Sequence, residues 1–393
     1  MRKSAAGIVV FFLLFAGCAP HVPKEAPPPL ERLVYEGGSP ELQSDDADTS
    51  SLFAALDNSL TYFGKDTRSP LIPASGPETF RGREVHRSVA LFRKILANAW
   101  TDEDLFRRVK ENFRFIEARA QDKKTSLLLT GYYEPLLEGS LQPGGGYLYP
   151  LYRRPGDLVE TPGNTARAME IARLDNGRAV PYFSRREIDT EGVLRGRGLE
   201  IAWLKDPWER FSLHVQGSGK IRLPDGRIIG VGFAGSNGRA YRSIGRHLIE
   251  KGYIKESEAN LPRVREFVRN NPALAEEIYN VNERYIFFRT AAGTEGPVGS
   301  IGVPLTPGRS IAADPAVFPR GCIAYLVSRR PVLNADGTVE GWKPIRRFVL
   351  NQDAGAAIKG PSRIDLFFGS GDLAGAAAGE MREEGKIYIL MAK

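Results

Sequence analysis

The stretch NQDAGAAIKGPSRIDLFFGSGDLAG, Asn351–Gly375, sets two acids in contrasting surroundings. Asp353 is followed by Ala354-Gly355-Ala356-Ala357-Ile358-Lys359, then Gly360 and Pro361. This is the pattern of a short helix capped by Asp353, closed by Gly360 and stopped by Pro361. Arg363–Phe368 is strand-like, with an acid at its centre. Alternation sets Ile364, Leu366 and Phe368 on one face and Arg363, Asp365 and Phe367 on the other. An acid so placed is partly desolvated, which favours its neutral form and raises its pKa. A general acid needs that property near neutral pH. On residue types alone Asp353 is a helix cap, and Asp365 can equally be a strand acid satisfied by Arg363 or by backbone.

Further strands are expected around this stretch, at Tyr285–Phe288, Cys322–Val327, Arg346–Leu350 and Lys386–Met391. Upstream, Gly245–Tyr279 is helical in pattern, with Pro262 near a helix start and Asn270-Asn271-Pro272 breaking the run. From Leu127 to about Ala234 short apolar runs alternate with Gly, Pro and Asp-Gly, and Leu223-Pro224-Asp225-Gly226 is a hairpin turn. Earlier still, Val85, Val89, Leu91, Phe92, Ile95 and Leu96 form a helical stripe, and Thr101-Asp102-Glu103-Asp104 opens a second helix. This order permits two β domains in series, or one β domain interrupted by the other. The 42 Gly and 27 Pro of the 393 residues favour turn-rich β structure, and the length suits roughly two domains of about 150 residues.

At the N-terminus, Arg2 and Lys3 precede an apolar run from Ala5 to Ala16, too short to span about 30 Å of hydrocarbon. Residues 1–17 are therefore expected to be a signal peptide. Phe15-Ala16-Gly17-Cys18 resembles a bacterial lipobox, which implies lipidation of Cys18. Ala19 in second place implies the outer membrane, with the chain facing the periplasm. Pro20, Pro23, Pro27–Pro29, Asp45, Asp46 and Asp48 make residues 18–74 a solvated tether. Cys322 is then unpaired and is expected to be a small buried residue in a strand.

Several chemistries are excluded. The four histidines, His21, His86, His214 and His247, show no metal-ligand spacing, so neither a metal nor a cofactor is expected. Gly217-Ser218-Gly219-Lys220 is followed by Ile221 where a P-loop needs Ser or Thr, and no GxSxG elbow exists. The formal charge of +7, or +5 without Arg2 and Lys3, suits a polyanionic partner, yet no nucleic-acid signature accompanies it.

Longer motifs narrow the field. Ala313-Asp314-Pro315-Ala316-Val317-Phe318-Pro319-Arg320-Gly321 with Gln352–Gly375 resembles the 3D, or three-aspartate, domain, whose acids here would be Asp314, Asp353 and Asp365. Leu129-Thr130-Gly131-Tyr132-Tyr133-Glu134-Pro135, His214-Val215-Gln216-Gly217-Ser218-Gly219 and Asn237–Gly245 resemble the membrane-bound lytic murein transglycosylase A family. Ala356 and Ser362 stand where that family often has Gly.

The resemblance implies a mainly β chain with flanking helices: a double-psi β-barrel domain (75–134 and 235–393, with the 3D part from about 285), an inserted smaller β-barrel (135–234), and a groove between them. It also implies cleavage of the β-1,4 bond between N-acetylmuramic acid and N-acetylglucosamine, forming 1,6-anhydromuramic acid, with Asp365 as acid and then base. Asp353 and Asp314 would support the site, while Thr130, Tyr132, Tyr133, Gln216 and Ser218 would meet sugar. The partners implied are peptidoglycan strands, outer-membrane lipid, and proteins of wall synthesis or division. A hydrolase using Asp353 or Asp314 as second carboxylate, or a non-catalytic wall-binding lipoprotein, are the alternatives.

Overall fold

The computed structural model describes residues 40–65, 81–118, 126–162, 169–291 and 296–393. The signal segment, Cys18 and the tether up to residue 39, like residues 66–74, lie outside them. Helices α1 (Thr49–Lys65), α2 (Gly82–Ala97) and α3 (Asp102–Asn112) lead into strands β1 (Phe113–Glu117) and β2 (Leu127–Glu134). There follow β3 (Leu136–Ser140), β4 (Tyr149–Tyr152), β5 (Leu158–Pro162), β6 (Met169–Asp175), β7 (Arg178–Pro181), α4 (Arg185–Asp189), β8 (Glu200–Leu204), α5 (Pro207–Gln216), β9 (Gly219–Arg222) and β10 (Ile228–Ser236). Helices α6 (Ile244–Glu250), α7 (Leu261–Asn270) and α8 (Pro272–Val281) precede β11 (Ile286–Ala291). The chain ends with β12 (Ser310–Ala312), β13 (Ile323–Leu333), β14 (Val339–Asp353), β15 (Arg363–Ser370), α9 (Asp372–Glu380) and β16 (Arg382–Ala392).

Six strands close into a barrel in the order β16-β13-β14-β12-β15-β2, as the double-psi expectation requires. Closure rests on β16. Its residues 386–389 pair with β13, while residues 382–385 on its other edge pair with β2. Two neighbour pairs are parallel, β12 with β14 and β2 with β15. Period-2 side chains such as Ile364, Leu366, Ile387 and Ile389 fill the interior, and the helical stripe Val85, Val89, Phe92, Ile95 seals one side. Thr101 caps α3 as its sequence requires, accepting from the Asp104 amide.

The inserted lobe is a second sheet, β11-β10-β9-β3-β8-β4, whose two edges meet through a bridge between Arg153 and Phe288. A three-stranded meander, β5-β6-β7, adjoins it in sequence. This lobe is larger than expected. Residues 235–291 belong to it and not to the first barrel, because β11 pairs along β10 and buries Tyr285, Phe287 and Phe288. The C-terminal part of the first barrel accordingly starts at β12, not near residue 285. Nor does a helix follow Asp353, which is the last residue of β14; turns lead from there to β15. Asp353 is held as an acceptor of the Ala354 and Ser300 amides at 2.9 Å, so a strand end with a crossing loop does what a helix start was expected to do.

The tether expectation also fails from residue 40 to 65. Leu52, Ala55, Leu56 and Phe63 of α1 lie in the main core, and the buried Gln352 amide donates to Ala55 O at 2.7 Å. The acids before it are pinned by arginines. Arg309, wholly buried, donates from Nη1 to Asp45 Oδ2 at 2.6 Å and from Nη2 to Asp48 O at 2.8 Å. Arg347 forms a forked pair with Asp46. Acids that look solvating in isolation are here the counter-ions of buried guanidinium groups. Asp45→Ala strands Arg309 without its carboxylate, and should cost about 3–5 kcal/mol in a urea melt; a loss below about 1 kcal/mol would show that the segment is not part of the fold.

Candidate active site

β15 lies between β12 and β2, and its register sets Asp365 opposite Ala312 on one side and Thr130 on the other. Ala312 is also opposite Asp353 across β12 and β14. Two strand spacings therefore separate the backbones of the two acids, about 10 Å. Both side chains line one groove of about 800 Å³.

The groove has walls from both lobes. On the barrel side, β2 brings Tyr132 and Tyr133. Gly131 between Thr130 and Tyr132 lets α9 approach, since a Cβ there would lie 2.7 Å from Ala378 Cα. On the inserted side, α5 ends at Gly217, whose φ of 83° is left-handed, and the turn presents Gln216 and Ser218. Gln216 Oε1 accepts from the Tyr133 amide at 3.4 Å, so the two lobes meet at this point.

Asp365 is only slightly exposed, with 14% of its side-chain surface accessible. Its Oδ1 accepts from the Thr130 hydroxyl and, at 3.2 Å, from Arg363 Nε. Arg363 Nη2 in turn donates to Thr130 Oγ1 at 3.3 Å, closing a triangle. Oδ2 takes part in neither contact. Burial raises the pKa of Asp365, outweighing the charge of Arg363 and the bond from Thr130, which both favour the ionised form. The ion pair thus steadies one oxygen without making the group a permanent carboxylate.

Asp353 is pushed up to about 6, chiefly by burial, against the two amides it accepts from. The Tyr132 hydroxyl interacts with it, yet it makes no full hydrogen bond and is buried without another partner. The Tyr132 ring rests on Phe367, centroids 5.2 Å apart. The ring therefore packs against the wall of the groove it lines. Tyr133 packs over Gly375, where an added Cβ would come within 2.8 Å of its ring.

Two expected residues sit outside the groove wall. Thr130 touches Asp365 from behind. Asp314 accepts from the Ala316 amide at 3.0 Å and from the Gly360 amide at 2.9 Å, tying the 354–362 loop to the turn before β13. Among the residues not anticipated, Glu134 is buried beneath the groove, paired with Lys220 at 3.4 Å and accepting from Ser370 Oγ at 2.6 Å. Its place inside the quoted Thr130–Pro135 motif was the available signal. Tyr241, Arg284 and Arg289 also line the groove. Cys322 is buried, its thiol pushed up to about 12, in keeping with a small packing residue. Among the described residues no group of His, Cys, Asp and Glu is arranged to hold a metal, and no helix is long and apolar enough to cross a membrane.

Residues 128–289 match the model for the MltA specific insert domain, and residues 309–391 that for the 3D domain. Over 272 residues the chain is 32% identical to the membrane-bound lytic murein transglycosylase A of Vibrio cholerae, spanning 68% of this chain and 66% of that protein. The Escherichia coli K12 protein of the same name is 30% identical over 68% of this chain and 67% of its own length, so the alignments cover about two thirds of these curated relatives. Among solved structures, a membrane-bound lytic murein transglycosylase from Agrobacterium tumefaciens superposes with a TM-score of 0.74 at 30% identity, covering 88% of this chain and 93% of that one. E. coli MltA with bound chitohexaose shares the fold, with a TM-score of 0.68 at 23% identity over 92% of this chain and 96% of that chain. Both domain models match, a curated relative reaches 30% identity over two thirds of its length, and the chain belongs to the membrane-bound lytic murein transglycosylase A family.

Proposed function

We propose that this chain is a peptidoglycan lytic transglycosylase in which Asp365 serves first as general acid and then as general base. The supporting observation is a carboxyl of raised pKa, with one oxygen outside the Arg363–Thr130 contacts, in a groove between two lobes of a murein-cleaving family. Ordinary glycosidases need a second carboxylate because water is the acceptor. Here the muramyl C6 hydroxyl attacks C1 of its own ring.

Protonated Asp365 gives its proton to the glycosidic oxygen as the C1–O bond breaks. The charge that develops on the carboxylate is met at Oδ1 by Arg363 and Thr130. Oδ2 then takes the C6 hydroxyl proton while the C1–O6 bond forms. The proton count balances and no water is consumed. Proton transfer of this kind contributes roughly 10²–10⁴-fold, and alignment of the intramolecular attack supplies more. Asp353 supports the site by fixing the loop through Ser300 and Ala354, and Asp314 does the same through Gly360. Tyr132, Tyr133, Gln216 and Ser218 provide sugar contacts along the walls. Cys18 is proposed as the lipid anchor that holds the enzyme at the outer membrane facing the periplasm, in line with the relatives' designation as membrane-bound.

A two-carboxylate hydrolase is the second reading. It is favoured by the pKa of Asp353, raised to about 6, and by the place of Asp353 on the same groove wall as Asp365. The products separate the two. Purified peptidoglycan should yield 1,6-anhydromuramyl ends one water lighter than hydrolysis products by mass spectrometry; reducing muramyl ends alone would reject the transglycosylase. Asp365→Asn should lower turnover by roughly 10²-fold or more with glycan binding retained, and near-normal turnover would remove Asp365 from the mechanism.

The pKa of Asp353 also carries a stability consequence. Between about pH 4 and 6 the folded chain retains a proton that the unfolded chain has lost, so stability falls as pH rises through that window. The loss is at most about 3 kcal/mol, and less where water reaches the carboxyl. Asp353→Asn keeps an acceptor for both amides and removes the titration. Its Tm should exceed that of the parent at pH 7.5 and converge with it near pH 4; an equal gain at both pH values would contradict the shift.

A further inference from the structure

We propose that Arg284, with Arg289 on the same wall, forms a carboxylate-recognition subsite that selects glycan strands bearing free carboxylates. The inference deepens the murein reading above and rests on it. Both arginines line the groove. Arg284 sits half-buried in the turn between α8 and β11, where Nη1 donates to Arg239 O at 3.2 Å and leaves the other guanidinium donors for the groove. Burial alone acts on its pKa, which is lowered, and no carboxylate offsets that penalty among the described residues. Arg289 is exposed on β11 opposite Gly232, which has no side chain to cover it, and it too has no acidic partner among the described residues.

The other charged side chains of the groove have their own partners, Asp353 being held by two backbone amides and not by a cation. Arg363 faces Asp365, and Glu134 holds Lys220. A half-buried guanidinium without a counter-ion costs free energy that an anionic ligand would offset. Its planar fork fits a carboxylate through two parallel hydrogen bonds, a match that neutral hydroxyl and acetamide groups lack. Muramyl residues carry a lactyl ether that ends in a carboxyl. This is free in bare strands and amide-linked in decorated ones, where the attached peptide bears carboxylates of its own. The subsite shares the groove with the reacting position: Arg284 is tied to the 237–243 loop, whose Tyr241 feels the charges of both Arg363 and Asp365.

The test measures equilibrium binding in full-length chains carrying Asp365→Asn, so that strands stay intact. Three ligands are compared: peptide-bearing murein strands, strands stripped to free lactyl carboxylates by an amidase, and neutral chitohexaose. Arg284→Gln should weaken carboxylate-bearing strands roughly ten- to hundredfold and leave chitohexaose within about twofold. Arg284→Lys, which keeps the charge and loses the fork, should fall between. Loss confined to peptide-bearing strands assigns the stem carboxylates; loss confined to stripped strands assigns the lactyl group. Equal loss on chitohexaose, or no loss on either carboxylated strand, overturns the subsite. Should Arg284→Gln prove unfolded by circular dichroism, the exposed Arg289→Gln decides by the same selectivity. Absence of anhydro products from the parent chain would defeat the transglycosylase reading and leave the binding selectivity to be judged separately.

Discussion

A carboxyl held almost out of water, yet partnered among the described residues on one oxygen only, is the constraint around which this molecule is arranged. Full solvation would leave Asp365 an ordinary acid, ionised at neutral pH. Full pairing would fix it as a carboxylate. The Arg363–Thr130–Asp365 triangle lies between these limits because β2 and β15 run parallel in a register that sets Thr130 beside Asp365, while Arg363 stands two residues before the acid on the same face. The barrel must close for that register to exist. Closure in turn depends on β16 pairing with β13 on one edge and β2 on the other.

The same geometry explains why Asp353 shares the groove. β12 is only three residues long, but it separates β14 from β15 and so holds the two acids about one strand to either side of Ala312. Asp353 feels the charge of Asp365 as the least of its influences, and each acid is governed mainly by burial. Their partners differ in kind. Asp365 meets two side chains, which can yield as charge moves, whereas Asp353 meets two backbone amides belonging to a loop. Unequal surroundings for two nearby carboxyls divide labour between a group that exchanges protons and one that holds geometry.

Much of this was legible in the residues. The strand around Asp365, the α2 stripe, the Thr101 cap and the Leu223–Gly226 turn follow from period, capping and turn chemistry, all of which act over a few positions. What local patterns do not carry is pairing over distance. Nothing near Asp45 or Asp46 announces Arg309 and Arg347, so a folded segment resembled a tether. The strand at 286–291 looks alike whichever sheet receives it, and its true partner, β10, is separated from it by three helices. The Asp353 cap pattern was sound in its chemistry, but the amide donors came from Ser300 and Ala354 with no helix behind them. In the site, acids inside quoted motifs were visible. The arginines at 284 and 289, one before an anonymous strand and one within it, became meaningful only when both were seen on the groove wall.

The interruption of one barrel by another lobe bears on the order in which the chain acquires structure. The inserted lobe is complete in sequence by residue 291, whereas β2 must wait for β15 and β16, and Thr130 meets its acid across 235 positions. Loop-closure entropy makes such distant pairings slow to form. A polypeptide emerging N-terminus first therefore spends the interval with β1, β2 and the apolar faces of α1 and α2 uncovered, and the surroundings of the reactive carboxyl are completed only when the final strand, β16, arrives.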